Sequence, residues 1–314
     1  MRFWTLRVVA VAFALASVGT LGAADRKADH PVQSGALAGL PPDSTQLKAV
    51  QLKTDRYVYD LDVSPDGRLV AFTRNGGDLC VYNVVTKRTR VIARNSNAHD
   101  PAWSPDGMRL AFQGDDSVRV TTEFWIWLVN RDGSGLRRVS GSGPDGKHPI
   151  WTRDGRKLVW TQGRRLWEAD TGGAGGRFLT PRSPDRWHLE FARGWTPDGS
   201  RLVYISGSEM GEEFRLRAVG GDSTDDSPCH PLRLPTVSRS ELGLSADGRL
   251  LYRGGDGVIE VSDPWLSGEV RRYPIHPASP WGPVSLSADR SLAAFWVGDE
   301  ETGEVWLVRL SAPR

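Results

Sequence analysis

The chain has 314 residues, of which 39% are hydrophobic and 25% are charged, and its formal net charge is +2. This composition indicates a globular protein and excludes a chain too polar to bury a core. The balanced charge, with no basic stripe, argues against nucleic-acid binding, which requires excess cations to offset phosphate charge.

Residues 1–24 differ in composition from the rest of the chain. Arg2 and Arg7 precede the apolar run VVAVAFALASVGTLGAA, which ends in small residues. This pattern is typical of a secretory signal peptide cleaved after Ala23 or Ala24, and it predicts a periplasmic or secreted protein with no remaining membrane span. An uncleaved membrane anchor is the alternative, because the run lies near the short limit of a span. Cleavage would remove two of the 40 basic residues and none of the 38 acidic ones, so the mature chain would be formally neutral.

Two short segments separate the signal from the first repeat. Residues 25–44, DRKADHPVQSGALAGLPPDS, are polar and rich in Pro and Gly, and this predicts a disordered lead. Residues 45–54, TQLKAVQLKT, predict a strand. Residues 45–314 are therefore expected to form the folded domain.

One eleven-residue pattern then recurs six times. Its copies are DVSPDGRLVAF, AWSPDGMRLAF, IWTRDGRKLVW, GWTPDGSRLVY, GLSADGRLLYR and SLSADRSLAAF. Successive pattern aspartates lie 40 to 49 residues apart, at Asp66, Asp106, Asp154, Asp198, Asp247 and Asp289. Self-similarity at such a period indicates a repeat architecture.

Each repeat predicts a four-stranded antiparallel sheet. Two strands flank the SPDG turn, in which Pro105 presets φ and Gly107 accepts a positive φ, and two further strands follow. A sheet with two apolar faces buries both when repeats stack radially, so we predict an all-β fold, a six-bladed β-propeller. The last repeat has no room for a fourth strand. We expect residues 45–54 to pair beside its third strand and close the ring, because an open edge invites aggregation.

The W-S-P-D-G-x-x-L-A-F element resembles the repeat of the TolB-like propellers, a WD40-like group. The resemblance covers residues 55–314 and implies the propeller fold. The protein that gives this family its name has a separate α/β domain ahead of its propeller, whereas only a short segment precedes the first repeat here. The resemblance is therefore expected to hold for the propeller part only, and it leaves a role in the Tol–Pal envelope system undecided.

Motifs of common enzymes do not occur in the sequence. GLSADG at Gly243 lacks the spacing of a nucleophile elbow, and HExxH, paired CxxC and phosphate-binding loops are missing. The repeated aspartates are expected to cap their own turns, and the tryptophans of the first strands are expected to pack between blades. Cys80 and Cys229 lie in different repeats and are not expected to form a disulfide.

Candidate binding residues come from a position that lines the central channel. Six residues before each repeat aspartate, at the predicted channel mouth, four ligand-type side chains occur, namely Asp60, Asp100, His148 and Glu241. Ala192 and Pro283 hold the other two positions, and His99 and Lys147 adjoin the set. Loops with Asp115, Asp116, Glu209, Glu212, Glu213, Asp299, Glu300 and Glu301 should reach the same face. We therefore expect an acidic mouth that attracts a cation or a basic peptide.

These features favour an exported, non-catalytic binding or scaffold propeller at the bacterial envelope. Its expected partner is a protein or a small cationic ligand, and no cofactor is identified. The alternative is a propeller-class enzyme, a lyase or hydrolase with a metal at the channel mouth, since three carboxylates and an imidazole suit a divalent cation. A sensor propeller that signals to a membrane partner is a third possibility.

Overall fold

The structure, a computed structural model, describes residues 47–52, 58–74, 77–94, 96–115, 123–139, 141, 143–196, 198–208, 211–218, 226–228, 243–244, 250–253, 258–262, 270–276, 284–289, 291–297 and 304–309. Within these ranges the regular secondary structure consists of β-strands, without a helix. Accordingly, no described segment is an apolar helix long enough to cross a membrane. The predicted signal peptide and lead, residues 1–24 and 25–44, lie outside the described residues.

The first four repeats each form a separate four-stranded sheet, in sequence order. The first contains β2 (Val58–Val63), β3 (Leu69–Arg74), β4 (Asp78–Asn83) and β5 (Arg88–Ala93). The second contains β6 (His99–Trp103), β7 (Arg109–Gly114), β8 (Trp125–Asn130) and β9 (Arg137–Arg138). The third contains β10 (Gly146–Trp151), β11 (Lys157–Gln162), β12 (Arg165–Asp170) and β13 (Arg177–Phe178). The fourth contains β14 (Leu189–Trp195), β15 (Arg201–Ser208), β16 (Gly211–Ala218) and β17 (Asp226–Pro228).

The fifth and sixth repeats share one eight-stranded sheet with the N-terminal strand β1 (Leu47–Leu52). The fifth repeat supplies β18 (Gly243–Leu244), β19 (Leu250–Arg253), β20 (Val258–Ser262) and β21 (Val270–His276). The sixth supplies β22 (Val284–Leu286), β23 (Leu292–Val297) and β24 (Glu304–Arg309). All pairs of strands within a repeat are antiparallel.

Strand β1 pairs with one strand of the fifth repeat and one strand of the sixth. It pairs antiparallel with β24, where Ala49 opposes Val308 and Leu52 opposes Val305, beside the strand expected from the sequence. Its other edge pairs with β21 in parallel, through Leu47 opposite Ile275, which the sequence did not predict. A strand has two hydrogen-bonding edges, and here both are used, so the fifth and sixth repeats are not separate sheets.

The recurring turn explains the repeat pattern. In the first copy the Ser64 hydroxyl donates to Asp66 Oδ1 at 2.7 Å, and the same carboxylate oxygen accepts the Arg68 N–H at 3.1 Å. Corresponding bonds fix Asp106, Asp154, Asp198 and Asp289 within their own turns. Gly107 has φ +67°, as the turn assignment requires. These aspartates therefore hold turns, and Asp247 lies outside the described residues.

The core lies between successive sheets. Three clusters of buried side chains each combine residues from neighbouring sheets among the first four, and another joins β1, β23 and β24 to the first sheet. Trp103, Trp151 and Trp195 are 6–7% exposed. Each indole N–H donates to a backbone carbonyl of the preceding sheet, at Asp62, Ala102 and Trp151, over 3.2, 3.0 and 2.7 Å. Each tryptophan thus bonds its own sheet to the preceding one. A buried indole N–H needs a hydrogen-bond acceptor, and the carbonyl supplies it.

The first strands of successive repeats are spatial neighbours. Strand β2 contacts β6, β6 contacts β10, and β10 contacts β14; β18 lies between β14 and β22, and β22 contacts β2. The last contact includes a hydrogen bond of 3.0 Å from the Val63 N–H to Ser285 Oγ. Each first strand therefore lies near the first strand of a neighbouring repeat.

Candidate functional site

The candidate site lies where the first strands begin, an end of the sheets that we call the entry end. The turn between β11 and β12 lies at this end, since the Gly163 N–H donates to the Asp145 carbonyl over 3.0 Å, just before β10. The aspartate turns lie at the opposite end of each second strand, which we call the hairpin end. The two ends therefore carry different side chains and different turns.

The first strands of the first four repeats share a β-bulge near the entry end. Pairing with the second strand shifts between Val58 and Leu61, His99 and Ala102, Lys147 and Ile150, and Ala192 and Gly194. Such a bulge places an extra residue opposite its partner strand and redirects side chains.

Two bulge residues adopt a backbone conformation that is uncommon for side chains with a Cβ. Asp100 has φ +49° and His148 has φ +50°. A positive φ costs conformational energy outside glycine, although Asp and His tolerate it better than most residues. Conformations of this kind cluster at functional sites, where the surrounding structure maintains them.

Asp60 connects the first and second sheets at this end. Its Oδ2 accepts the Asp100 N–H at 3.2 Å and lies 3.4 Å from His99 Nδ1. The Asp60 N–H donates to Thr73 Oγ1 over 3.2 Å, within its own sheet. The side chains of Asp60 and His99 are 27% and 29% exposed, so a ligand could still reach them.

Asp100 makes the corresponding link to the third sheet. His148 Nδ1 lies 2.8 Å from Asp100 Oδ2, and these side chains are 36% and 29% exposed. The His148 ring packs edge-on against Phe191 of β14, with ring centroids 4.9 Å apart. Asp60, His99, Asp100 and His148 therefore form one row of alternating acid and imidazole groups across three sheets, which we call the Asp–His row.

Two members of the row, His99 and Asp100, have shifted pKa values. Burial alone lowers the pKa of His99, but the hydrogen bond and charge of Asp60, and further the charge of Asp100, outweigh burial and raise that pKa. Burial alone raises the pKa of Asp100, but the charge and hydrogen bond of His148, followed by the charges of His99 and Arg193, outweigh burial and lower it. The charged forms of His99 and Asp100 are therefore favoured.

Two residues predicted from the sequence, Lys147 and Glu241, are not part of the Asp–His row. Lys147 does not join the row, because its Nζ lies 2.5 Å from Asp145 Oδ1. Glu241 lies outside the described residues. Gln113, opposite His99 in the β6–β7 pair, has a buried Oε1 without a hydrogen-bond partner among the residues that the structure describes. Gln113 is not among the candidates predicted from the sequence, because a glutamine within a strand has no sequence feature that marks it as functional.

At the third repeat the entry end carries positive charge. Arg164 lies in the β11–β12 turn, Arg165 begins β12, and Arg182 and Arg186 lie in the segment that leads to β14. The acidic mouth expected from the sequence stays a prediction. The acidic residues Asp116, Glu209, Asp299, Glu300 and Glu301 lie outside the described part of the chain.

Another acidic residue lies deeper in the same first strand. Asp62 Oδ2 accepts the Trp103 N–H at 2.8 Å, and Asp62 Oδ1 accepts the Ser285 hydroxyl at 2.7 Å. Burial raises the pKa of Asp62 to about 6, and these hydrogen bonds only partly oppose the effect. Asp62 thus links the first, second and sixth repeats, and the sequence analysis did not identify it.

Among the described residues, no group of three or more His, Cys, Asp or Glu side chains has a geometry that could hold a metal ion. Within the Asp–His row each imidazole lies beside a carboxylate of the preceding sheet, at 3.4 Å for His99 and Asp60 and 2.8 Å for His148 and Asp100.

Comparison with known proteins agrees with the fold. No family model matches the chain. The chain is 34% identical over 90 residues to the Tol-Pal system protein TolB of Anaeromyxobacter dehalogenans, a match that covers 28% of this chain and 20% of that protein. It is 33% identical over 108 residues to a TolB homolog of Chlorobium chlorochromatii, with 32% of this chain and 23% of the other covered. The matched segment thus spans under a quarter of either relative.

Solved structures resemble the chain over a larger part of its length. TolB from Acinetobacter baumannii superposes with a TM-score of 0.52 at 15% identity, covering 88% of this chain and 66% of that one. A gluconolactonase from Xanthomonas campestris superposes with a TM-score of 0.59 at 13% identity, covering 84% of this chain and 89% of that one. An oligogalacturonate lyase in complex with manganese superposes with a TM-score of 0.53 at 15% identity, covering 83% of this chain and 79% of that one.

At these identities the likeness establishes the fold alone, so the described sheets belong to a β-propeller repeat protein. Over the two partial sequence matches, its repeats are similar to those of TolB proteins. This agreement applies to the propeller part of the TolB proteins.

Proposed function

We propose that the chain is an exported, non-catalytic binding propeller of the bacterial envelope. Residues 1–24 act as its signal peptide, residues 25–44 as its lead, and residues 45–314 as a propeller of six blades closed by β1. The side-by-side contacts of the six first strands and the pairing of β1 with β24 support the ring. The partial similarity to TolB proteins supports a periplasmic location and a protein partner.

The observation that carries the proposal is the Asp–His row. Its four side chains are between a quarter and two fifths exposed, and two of them, Asp100 and His148, have a costly backbone conformation. The carboxylates of Asp60 and Asp100 are held in fixed positions, and Glu241 is assigned to the same channel mouth. Preorganised carboxylates recognise a basic group at a low entropic cost. We therefore assign a protein partner with a basic segment, or a small cationic ligand, to this surface.

A binding assay with a defined probe tests the proposal. Fluorescence anisotropy of a labelled tetralysine peptide should show saturable binding to residues 25–314 at low ionic strength. Asp100→Asn combined with Glu241→Gln should weaken binding at least tenfold, because two carboxylates are removed (about 1.4 kcal/mol per factor of ten). The melting temperature should change little.

Asp132→Asn provides the matched control. Asp132 is an exposed acid in the β8–β9 turn at the hairpin end, where it accepts a hydrogen bond from the Ser134 N–H at 2.9 Å. This variant should bind the peptide like the wild type. Equal affinity of all variants, or an equal loss in the control, would refute the assigned surface.

The alternative function, a lyase or hydrolase with a divalent metal, is favoured by one specific feature. A carboxylate bound to Nδ1 of a histidine is the arrangement that orients the other ring nitrogen toward a metal ion. Asp100 holds His148 in this way. Calorimetric titration with Mn²⁺ decides between the functions: stoichiometric binding that is abolished by His148→Ala supports the enzyme, and no binding supports the scaffold.

A further inference from the structure

We propose that the chain has a second binding site, an anion pocket between the third and fourth sheets. The pocket is a cavity of about 860 Å³ at the entry end. Its lining includes Arg164 and Arg165 of the β11–β12 turn, and Arg182, Arg186 and His188 of the segment before β14. Its volume lies within the usual range of small-molecule sites, roughly 300–1,000 Å³.

The pocket concentrates positive charge in a protein that is nearly neutral. Four arginines line it, and the one carboxylate in the lining belongs to Asp185. Asp185 Oδ1 already accepts the Trp187 N–H at 2.9 Å. Within the described residues none of the four guanidinium groups has a carboxylate partner. Like charges confined in one cavity repel each other, so an anion that enters it relieves repulsion as well as gaining attraction.

Two of the arginines are fixed in place by neutral contacts. Arg165 donates through Nε and Nη2 to the Thr180 carbonyl at 3.1 and 2.8 Å, and its guanidinium lies 3.7 Å from the Phe178 ring centre. Arg164 Nη1 donates to the Arg186 carbonyl. These contacts use only part of the donor capacity of each guanidinium, so preorganised N–H groups remain for a ligand.

An exposed aromatic side chain supports the other wall. Trp187 is 48% exposed, and the guanidinium groups of Arg164 and Arg186 lie 5.6 and 4.8 Å from its ring centre. Stacking on an aromatic ring holds arginine side chains without neutralising their charge. The wall is therefore ordered and remains cationic.

The geometry around His188 indicates binding and not hydrolysis. His188 Nε2 lies 3.3 Å from Glu190 Oε1 and 3.2 Å from Ser206 Oγ. In a nucleophilic triad the acid and the hydroxyl contact different ring nitrogens, whereas here both contact the same one. Glu190 is buried and also accepts the Leu166 N–H at 3.2 Å, so its carboxylate is bonded to the backbone of β12.

The ligand is a small molecule with two or more carboxylate or phosphate groups. The planar guanidinium fork matches both anions and forms paired charge-assisted hydrogen bonds with them. The cavity is large enough for several such groups at once. This site is independent of the proposed function, because it uses none of the Asp–His row.

Isothermal titration calorimetry of residues 25–314 with citrate and with pyrophosphate at low ionic strength tests the proposal and separates carboxylate from phosphate ligands. We expect saturable binding of at least one probe, with affinity that falls as salt rises. Arg182→Gln combined with Arg186→Gln should weaken binding at least tenfold. The Arg186 carbonyl that anchors Arg164 is retained in this variant, so the fold should persist, which the melting temperature checks.

The control is Arg156→Gln, which removes one positive charge in the third sheet but in the turn at the hairpin end. It should leave the affinity within twofold of the wild type, as should Asp100→Asn in the Asp–His row. Absence of binding for both probes overturns the proposal. An Arg156→Gln variant that loses as much affinity as the paired variant also overturns it, because net charge would then explain the binding.

Discussion

Asp62 is an ionisable side chain placed between strands of three different repeats. It accepts hydrogen bonds from Trp103 of the second repeat and Ser285 of the sixth, and burial raises its pKa to about 6. An aspartate with a raised folded-state pKa destabilises the fold once it ionises. The unfolding free energy therefore has its full value below the unfolded-state pKa of Asp62 near 4, and it decreases as the pH rises to about 6.

Asp62→Asn should remove this pH dependence. The amide can accept from the Trp103 N–H and donate to Ser285 Oγ, so packing is preserved. Relative to the wild type, the variant should gain on the order of 2 kcal/mol in unfolding free energy between pH 4 and pH 7. Urea unfolding at several pH values measures the difference, and parallel curves for the two proteins would contradict a raised pKa at this site.

The turn glycines give a second residue-scale prediction. Gly107 has φ +67°, and a Cβ there would meet only Pro65 Cδ at 3.6 Å, so conformation alone sets the cost of substitution. Gly107→Asn should be mild, because Asn tolerates this region, whereas Gly107→Val should cost about 1–2 kcal/mol more. Equal melting temperatures would contradict the turn.

Gly67 supplies the comparison, since it has nearly the same conformation, φ +64°, with a crowded neighbour. A Cβ at Gly67 would lie 2.5 Å from Ser291 Oγ of the sixth repeat. Gly67→Asn should therefore lower the melting temperature more than Gly107→Asn. An equal effect would mean that the first and sixth turns do not pack as described.

The sequence predicts the turns of the repeats well and the bulges of their first strands poorly. The Asp and Gly of each turn act through bonds within five residues, so the local pattern contains them. The positive φ of Asp100 and His148 arises from register between two strands, and no local pattern indicates it. Counting back from the turn indicated Asp60, Asp100 and His148, which the structure places in neighbouring sheets, while the adjoining Lys147 pairs with Asp145.

At the scale of strands, the indole hydrogen bonds determine how one sheet meets the next. Trp151 Nε1 donates to the Ala102 carbonyl at 3.0 Å, and Trp195 Nε1 donates to the Trp151 carbonyl at 2.7 Å. The tryptophan of one first strand thus fixes the spacing to the preceding one. The sequence predicted their burial, because large aromatic residues recurred at one position, but it could not give their hydrogen-bond partners.

Trp151→Phe should separate the hydrogen bond from the packing. Phenylalanine keeps most of the buried area but leaves the Ala102 carbonyl without its donor, which should cost about 1–2 kcal/mol. Trp151→Ala also removes the packing and should cost about 3–5 kcal/mol. Thermal unfolding distinguishes the two, and a phenylalanine variant as stable as the wild type would show that the bond contributes nothing.

The plan of each repeat followed from the sequence, while the pairing of the fifth repeat with β1 did not. Two strands flank each recurring turn and further strands follow, as the sequence predicts. The parallel contact of β1 with β21 depends on which edges remain open after folding, and this is a property of the assembled molecule.

The N-terminal strand β1 should be essential for the stability of the folded protein. β1 pairs with β24, and Leu52 at its end is 3% exposed within the core shared with the first sheet. A protein that begins at Asp55 would lose these contacts and expose the edge of β24. Its unfolding free energy should fall by several kcal/mol, a large share of a total that is typically about 5–15 kcal/mol.

A protein that begins at Thr45 is the control, because it lacks the lead and keeps β1. It should melt like residues 25–314. If the Asp55 truncation also melts at that temperature, β1 does not contribute to closing the fold.

The pairing of β1 with β24 also sets an order of events. Nearly the entire chain separates the two strands, so the eight-stranded sheet that contains both can be completed only after the last repeat has been made and has folded. Contacts between such distant residues form late and slow the folding reaction. Until then β1 and β24 each present an unsatisfied edge, and β1 of one copy can insert beside β24 of another. The same pairing that completes a single molecule is thus the place where two newly made copies can exchange strands.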